Sequence, residues 1–437
     1  MLSARHETGL VLFPAFDWAI EATHPEREER LLYTRDQICE EGLLDLEGVR
    51  EYRPEPVSVA DVQRVHFCPS GVETVAGESH RIAAGGALRL ARAWHAGDIE
   101  RGFALVRPPG HHAQRVMHGG RGFCAINNEA IMIEALRQQH DIRRVAIIDT
   151  DCHHGDGTQD IYWHDPDVLF ISIHQDGRTL YPGTGFMDEQ GGPNAVGATV
   201  NIPLPPRTSD AGYLEIVRDT VLPILEDFEP ELVINSAGQD NHFADPLTDM
   251  DFSARGYAEL TRLLAPDLAV LEGGYSIESA LPYINMGILL AMTGLESDHV
   301  VEPYRRPSGG VQPEEITEAV RRIGTRTRAV WAKREQRQAQ LHAVSDECAH
   351  RTREIYYDTI DAFEHQHEAV RLCRHCGGAL RIATRIGDGP QTLAVHVPLY
   401  ACDDCRRAAL RWFELAPDEG FAAAFLQDRP ADRYLIR

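Results

Sequence analysis

Val145-Ala146-Ile147-Ile148-Asp149-Thr150-Asp151-Cys152-His153-His154-Gly155-Asp156 is an apolar run that ends in three carboxylates and two imidazoles. If Val145 to Ile148 is a strand, the polar residues sit at its carboxyl end, where open parallel sheets hold their ligands. Alternate side chains of an extended backbone share a face, so Asp149, Asp151 and His153 point the same way. Asp151 and His153 can then bind one ion together.

Outward from this stretch, strand and helix patterns alternate. The periodicity predicts helices over Ser79–Ala96, Asn127–Gln138, Gly157–His164, Asp210–Phe228, Ser253–Leu264 and Leu281–Thr293. Between them, Phe103–Val106, Val168–His174, Leu232–Ile234 and Leu268–Leu271 read as buried strands. The alternation predicts an α/β fold, a parallel sheet with helices on both faces. Arg107–His112, Asp149–Asp156, Gln239–Asp245 and Glu272–Tyr275 each begin at or shortly after the end of an apolar run. In a parallel sheet those ends share one edge, so the four motifs converge on one pocket.

A zinc ion that catalyses hydrolysis needs three protein ligands and an open position. Asp151 and His153 supply two, and Asp240 is the best third. His111 and His112 follow the rigid Pro108-Pro109-Gly110 turn as a tandem pair. One neutral imidazole can move a proton while the other, kept charged by a carboxylate, stabilises negative charge. Asp149 and Asp156 are free to be those carboxylates; the competing reading makes one of them a helix cap. Tyr275, after Gly273-Gly274, is placed to meet a developing oxyanion. His24, before Pro25, reads as a loop residue with local hydrogen bonds.

Near the end, Cys373-x-x-Cys376 and Cys402-x-x-Cys405 lie 25 residues apart, the spacing of a zinc ribbon in which four thiolates hold one structural zinc. Leu380–Ile386 and Thr392–Val397 read as its two strands, joined by a turn at Gly387-Asp388-Gly389-Pro390. Glu302–Pro313 reads as a linker, and Glu314–Val330 and Ser345–Leu372 as charged helices with thin apolar stripes. The expected organisation is a catalytic domain over 1–300, linker and charged helices over 301–370, and a ribbon module over 371–437. The helices or the ribbon are also candidates for self-association.

The 437 residues carry 43 basic against 67 acidic side chains, a net charge of −24, which argues against nucleic acid as the main partner. Seven arginines face three aspartates between Arg371 and Arg411, without the interleaved aromatics of a nucleic-acid platform. No apolar run approaches the ~20 residues of a membrane span. Met1–Ile20 carries charges where a signal peptide would be apolar, and the nine cysteines are not a secreted disulfide framework. A cytoplasmic setting is the expectation.

Taken together, Arg107-Pro108-Pro109-Gly110-His111-His112-Ala113, Gly122-Phe123-Cys124, Asn127-Asn128, Asp149 to Gln159, Tyr181-Pro182-Gly183-Thr184-Gly185, Asp240 and Leu271-Glu272-Gly273-Gly274-Tyr275 resemble the zinc-dependent histone deacetylases, their class II branch in particular. The likeness covers about residues 8 to 300. It implies a three-layer arginase/deacetylase fold and hydrolysis of an N-acyl amide, typically acetyl-lysine. By motif position it implies Asp151, His153 and Asp240 as zinc ligands, and His111 and His112 as the catalytic pair with Asp149 and Asp156 behind them. His112 is then the proton shuttle, and Tyr275 polarises the scissile carbonyl. Gly122-Phe123 and Tyr181 match the walls of the acyl-lysine channel. A potassium ion near Asp149, Asp151, His153 and Ser172 is also implied. Gln239 departs from the phenylalanine common in class II and is expected to reshape the pocket. Leu247 is the ordinary apolar residue where a polyamine-selective branch carries an acidic one. Two other readings remain open at this point: a binuclear ureohydrolase, and a catalytically silent acyl-lysine reader.

Overall fold

The computed structural model describes residues 3–304, 306–343 and 347–437. Eight strands form one all-parallel sheet: β1 (Ser3–Phe13), β2 (Glu47–Glu51), β3 (Arg101–Val106), β4 (Val145–Asp149), β5 (Val168–Gln175), β6 (Thr199–Leu204), β7 (Leu232–Ala237) and β8 (Leu268–Leu271). Their order is β2-β1-β3-β8-β7-β4-β5-β6. Ala146 and Ile148 of β4 enter one apolar cluster while Val145 and Ile147 enter another. That split is what a pleat covered on both faces produces. The predicted parallel sheet with helices on both faces is therefore the observed one.

The first predicted helix spans Glu78–His95, and the second begins at Asn128. Asn127 caps the second, its side-chain oxygen accepting the Ala130 N–H at 2.8 Å. The expected single helix Asp210–Phe228 passes through a π segment at Val217–Val221, just before Pro223. Proline has no N–H for the bond to residue 219, and its ring crowds that carbonyl. The strands β2 and β6 escaped sequence reading: β2 is a short, half-exposed edge and β6 carries Asn201 and Pro203 among its apolar residues.

The helix Glu314–Trp331 forms as expected and buries Ile316 and Val320 in the main core. The second charged helix does not. Ser345, where it was to begin, lies outside the described residues, and the rest is a hairpin of β9 (Cys348–Tyr357) and β10 (Ala362–Arg371). Side chains alternate in burial with the two-residue period of a strand, but the inward positions include Arg351, Arg353, Glu364, Gln366 and Glu368. Their charges are paired inside: Arg351 Nε meets Glu368 Oε2 at 2.9 Å. A polar inward face hides a strand from any reading based on apolar periodicity.

The hairpin continues into β11 (Leu380–Ile386), β12 (Thr392–Val397), β13 (Ala423–Asp428) and β14 (Arg433–Ile436), in the sheet order β14-β13-β12-β11-β10-β9. β11 and β12 keep the predicted bounds. The expected boundary at 370/371 falls inside this six-stranded sheet, because β10 pairs with β11 from Val370–Leu380 onward. No helix among the described residues is long and apolar enough to cross a membrane.

Candidate active site and metal centres

β3, β8, β7 and β4 are contiguous in the sheet, and their carboxyl ends deliver the four polar motifs. Asp151, His153 and Asp240 each offer a ligand atom, all within 4.8 Å of one another. His153 Nδ1 lies 2.8 Å from Asp240 Oδ2 and 3.1 Å from Asp151 Oδ1. Backbone amides aim the carboxylates. The Gly273 N–H donates to Asp151 Oδ2 at 2.7 Å and the Cys152 N–H to Asp240 Oδ1 at 2.7 Å. A Cβ on Gly273 would stand 2.4 Å from Asp240 Oδ2 and 2.5 Å from Asp151 Oδ2, so only glycine leaves this cradle open. Two fully buried carboxylates facing each other, with an imidazole between them, fit a divalent cation by donor type.

The histidine pair sits beside this group. His111 Nδ1 faces Asp149 Oδ2 at 3.1 Å and His112 Nδ1 faces Asp156 Oδ1 at 2.8 Å. Both imidazoles are buried. Burial opposes charge on His111, but Asp151 and Asp149 outweigh it and hold the ring well above its ordinary pKa. Burial and the charge of His111 push His112 down to about 3. The two adjacent imidazoles are thus shifted in opposite directions. His112 keeps its proton on Nδ1 toward Asp156, leaving Nε2 free to accept one.

The aromatic residues make a wall. Phe123 packs edge-on against Tyr275 at 5.6 Å between ring centroids, and Tyr181 packs against His112 at 5.2 Å. Tyr275 is buried and its phenol is raised well above the usual value, chiefly by burial, so it remains an O–H donor. Phe123 has φ +69°, and the preceding Gly122 +53°. His24 accepts the Glu26 N–H at 2.9 Å as a loop residue should, and also packs on Phe123 at 4.4 Å. His154 belongs to neither pair: Thr184 Oγ1 and Gln159 Oε1 hold it at 2.8 and 3.0 Å.

Other expected contacts are redirected. Gln239 is buried, and its side-chain N–H donates to Asn285 on the helix Leu281–Met292 while its amide oxygen has no hydrogen-bond partner among the described residues. Leu247 is half-buried, its N–H donating to Asp245 Oδ1 at 3.0 Å. Ser172 stands beside Asp149 in the β4–β5 register and meets His174 Nδ1 at 2.8 Å.

Sequence reading missed the supports of the site. Glu26, fully buried, meets Arg30 at 2.6 Å and Arg107 at 2.7 Å. Arg30 donates to the Gly274 carbonyl at 2.9 Å and to the Glu272 carbonyl, and its guanidinium lies 5.0 Å from the Tyr275 ring centre. Glu272 Oε2 accepts the N–H groups of Gly110 and His111 at 2.7 and 3.0 Å. In sequence, Glu26 and Arg30 look like an ordinary i,i+4 surface pair, and nothing local signals their burial.

Toward the end of the chain, Cys373 Sγ lies 3.6 Å from Cys376 and 3.7 Å from Cys402, and Cys376 lies 3.8 Å from Cys402. The fourth thiol, Cys405, completes the group. A tetrahedron with metal–sulfur bonds of about 2.3 Å has edges of about 3.8 Å, so this set fits a metal ion rather than a disulfide. The Cys405 sulfur also accepts from Arg371 at 3.3 Å.

Comparison with known proteins settles the family. A profile described as the histone deacetylase domain matches residues 68–286. The chain belongs to the histone deacetylase family. It is 45% identical over 309 residues to a protein named probable deacetylase from Archaeoglobus fulgidus, covering 64% of this chain and 84% of that one. It is 35% identical over 237 residues to the histone deacetylase-like amidohydrolase of Pseudomonas aeruginosa, covering 52% of this chain and 61% of that protein. It is 44% identical over 182 residues to an acetylpolyamine amidohydrolase of Burkholderia pseudomallei, covering 40% of this chain and 52% of that protein. Among solved structures, the HDA15 HD domain superposes with a TM-score of 0.65 at 27% identity, covering 79% of this chain and 99% of that one. The chain is thus a hydrolase of the deacetylase type. The profile ends before the C-terminal sheet begins.

Proposed function

We propose that the chain removes the acyl group from an acylated lysine side chain or a related small acyl-amine, with zinc held by Asp151, His153 and Asp240. The observation that carries this reading is the pair of imidazole–carboxylate couples standing beside three convergent metal donors. Bound there, zinc supplies a Lewis acid that polarises the acyl carbonyl and lowers the pKa of water. His112 accepts the proton of the attacking water on Nε2 and passes it to the leaving amine. His111, held charged over Asp149, stabilises the negative charge that develops. Tyr275 donates its O–H to the oxyanion. Phe123 and Tyr181 bound the channel that receives the acyl-amine stem.

A second, structural zinc in the four cysteines and a potassium ion near Asp149, Asp151, His153 and Ser172 belong to the same proposal. The apolar Leu247 favours a neutral or lysine-type substrate over a polyamine. A binuclear ureohydrolase is disfavoured, because apart from the four cysteines the described residues offer one group of three metal donors, Asp151, His153 and Asp240, and none for a second ion beside it. Cytoplasmic residence and self-association through the C-terminal part complete the proposal, and fractionation and sedimentation test them. The activity itself is tested by a panel of acyl-lysines and acyl-polyamines read out by released amine. Release from acyl-lysines supports the reading; binding without release would support the silent reader instead.

A further inference from the structure

The C-terminal sheet touches the catalytic unit at the back of the His112–Asp156 couple. Asp156 has three side-chain partners. His112 takes Oδ1, while Arg121 and the Gln114 amide take Oδ2, the latter at 2.9 Å. Both Oδ2 partners are themselves held by β9. Arg121 Nε donates to the Tyr356 carbonyl at 3.3 Å, and Arg353 donates to Gln114 Oε1 at 2.8 Å. The guanidinium therefore fixes which end of the Gln114 amide faces the carboxylate: oxygen toward Arg353, N–H toward Asp156. Without it, the carboxylate alone would select the N–H end of the amide, and the Gln114 oxygen would lose the partner that fixes it. Just beyond β9, Asp358 Oδ2 accepts the Gly122 N–H at 3.0 Å, so the same hairpin also grips the channel loop where Phe123 has its positive φ.

We propose that Arg353, on a strand outside the matched deacetylase domain, is a positioning residue for the His112–Asp156 couple, acting through the Gln114 amide. The proposal rests on the reading of His112 as the proton shuttle. The chain of contacts is Arg353 to Gln114 to Asp156 to His112, every member but Arg353 buried. Arg353 is also anchored, by Asp160 and by Glu368 at 3.5 Å. Its neighbour Arg351 shares both carboxylates, meeting Glu368 at 2.9 Å and Asp160 at 3.6 Å, without a bond to Gln114. Arg351 is therefore an internal control: it carries the same structural role without the link to the active site.

The test compares Arg353→Met, Arg351→Met, Gln114→Met and the double variant Arg353→Met/Gln114→Met in the full chain loaded with zinc. Arg353→Met should lower kcat about 10- to 100-fold with KM nearly unchanged. Arg351→Met should lose thermal stability but keep kcat. The double variant should be no slower than the slower single variant, because both cut one chain. Equal kcat in Arg353→Met and Arg351→Met, or multiplicative losses in the double variant, would overturn the proposal. A measurement independent of turnover separates this from failure of the deacylase reading. The downfield proton resonance of the His112 Nδ1–H bond, assigned by its loss in His112→Phe, should move in Arg353→Met and stay in Arg351→Met. If it stays in both, Arg353 does not position the couple, whatever the substrate.

Discussion

Replacing Glu26 with glutamine should destabilise the catalytic unit more than any surface charge change, although residue 26 lies far in sequence from every catalytic motif. Its carboxylate has no exposure and bridges two buried guanidiniums, Arg30 at 2.6 Å and Arg107 at 2.7 Å. A neutral amide leaves those two cations short of one negative charge in the interior, a break worth about 3–5 kcal/mol. For a cooperative unit of about 300 residues, with an unfolding entropy of about 2.1 cal/mol/K per residue, that is a fall in Tm of roughly 5–8 °C. The same change loosens Arg30, which holds the carbonyls of Glu272 and Gly274 and flanks Tyr275, so kcat should fall as well. Scanning calorimetry of Glu26→Gln beside Glu100→Gln measures the effect. Glu100 pairs with His6 in the open and its loss should be worth under about 1 kcal/mol. A Tm for Glu26→Gln within a degree of the parent would refute the view that this buried triad supports the site.

Tyr275→Phe removes the oxyanion donor and should cut kcat by about 10²–10³ with KM little changed, measured in steady state on an acyl-lysine substrate. Cys402→Ser should reduce bound zinc from two ions per chain to one, read by elemental analysis, and unfold the C-terminal sheet before the parallel one. Acid should weaken the fold through two histidines. Burial pushes His66 and His80 down to about 4, and His66 is tied as a neutral ring by the Asn127 N–H on Nε2 at 2.9 Å. Both unfold to an ordinary pKa of about 6.5 and take up protons there, so stability is full above pH 6.5 and falls toward pH 4 by up to about 1.4 kcal/mol per pH unit for each. Urea midpoints that stay flat from pH 6.5 to 4.5 would contradict this.

Much of the site was legible because its signals are local. The run Val145–Ile148 is apolar at both alternating faces, so it reads as a central strand, and the metal donors follow within a few residues of it. Asp240 and Tyr275 were legible through a different regularity, that each follows the end of an apolar run. The supports were not, since Glu26, Arg30 and Gln114 act through burial and contacts that no local pattern encodes. For Gln239 the sequence shows the neighbour Asp240 but not the partners, which are the Gly273 carbonyl for its backbone N–H at 3.0 Å and Asn285 for its side-chain N–H. The hairpin β9–β10 was hidden because its inward face is charged, with partners inside the hairpin, as in Arg351–Glu368, and beyond it, as in Arg353–Gln114.

The most direct test of the account is the release of amine from an acetyl-lysine peptide by the zinc-loaded chain and by its Asp151→Asn variant, with circular dichroism to establish that both are folded. The account predicts steady turnover by the parent and only background release by the variant. Equal rates from the two, or acyl-lysine bound by the parent without amine released, would contradict it.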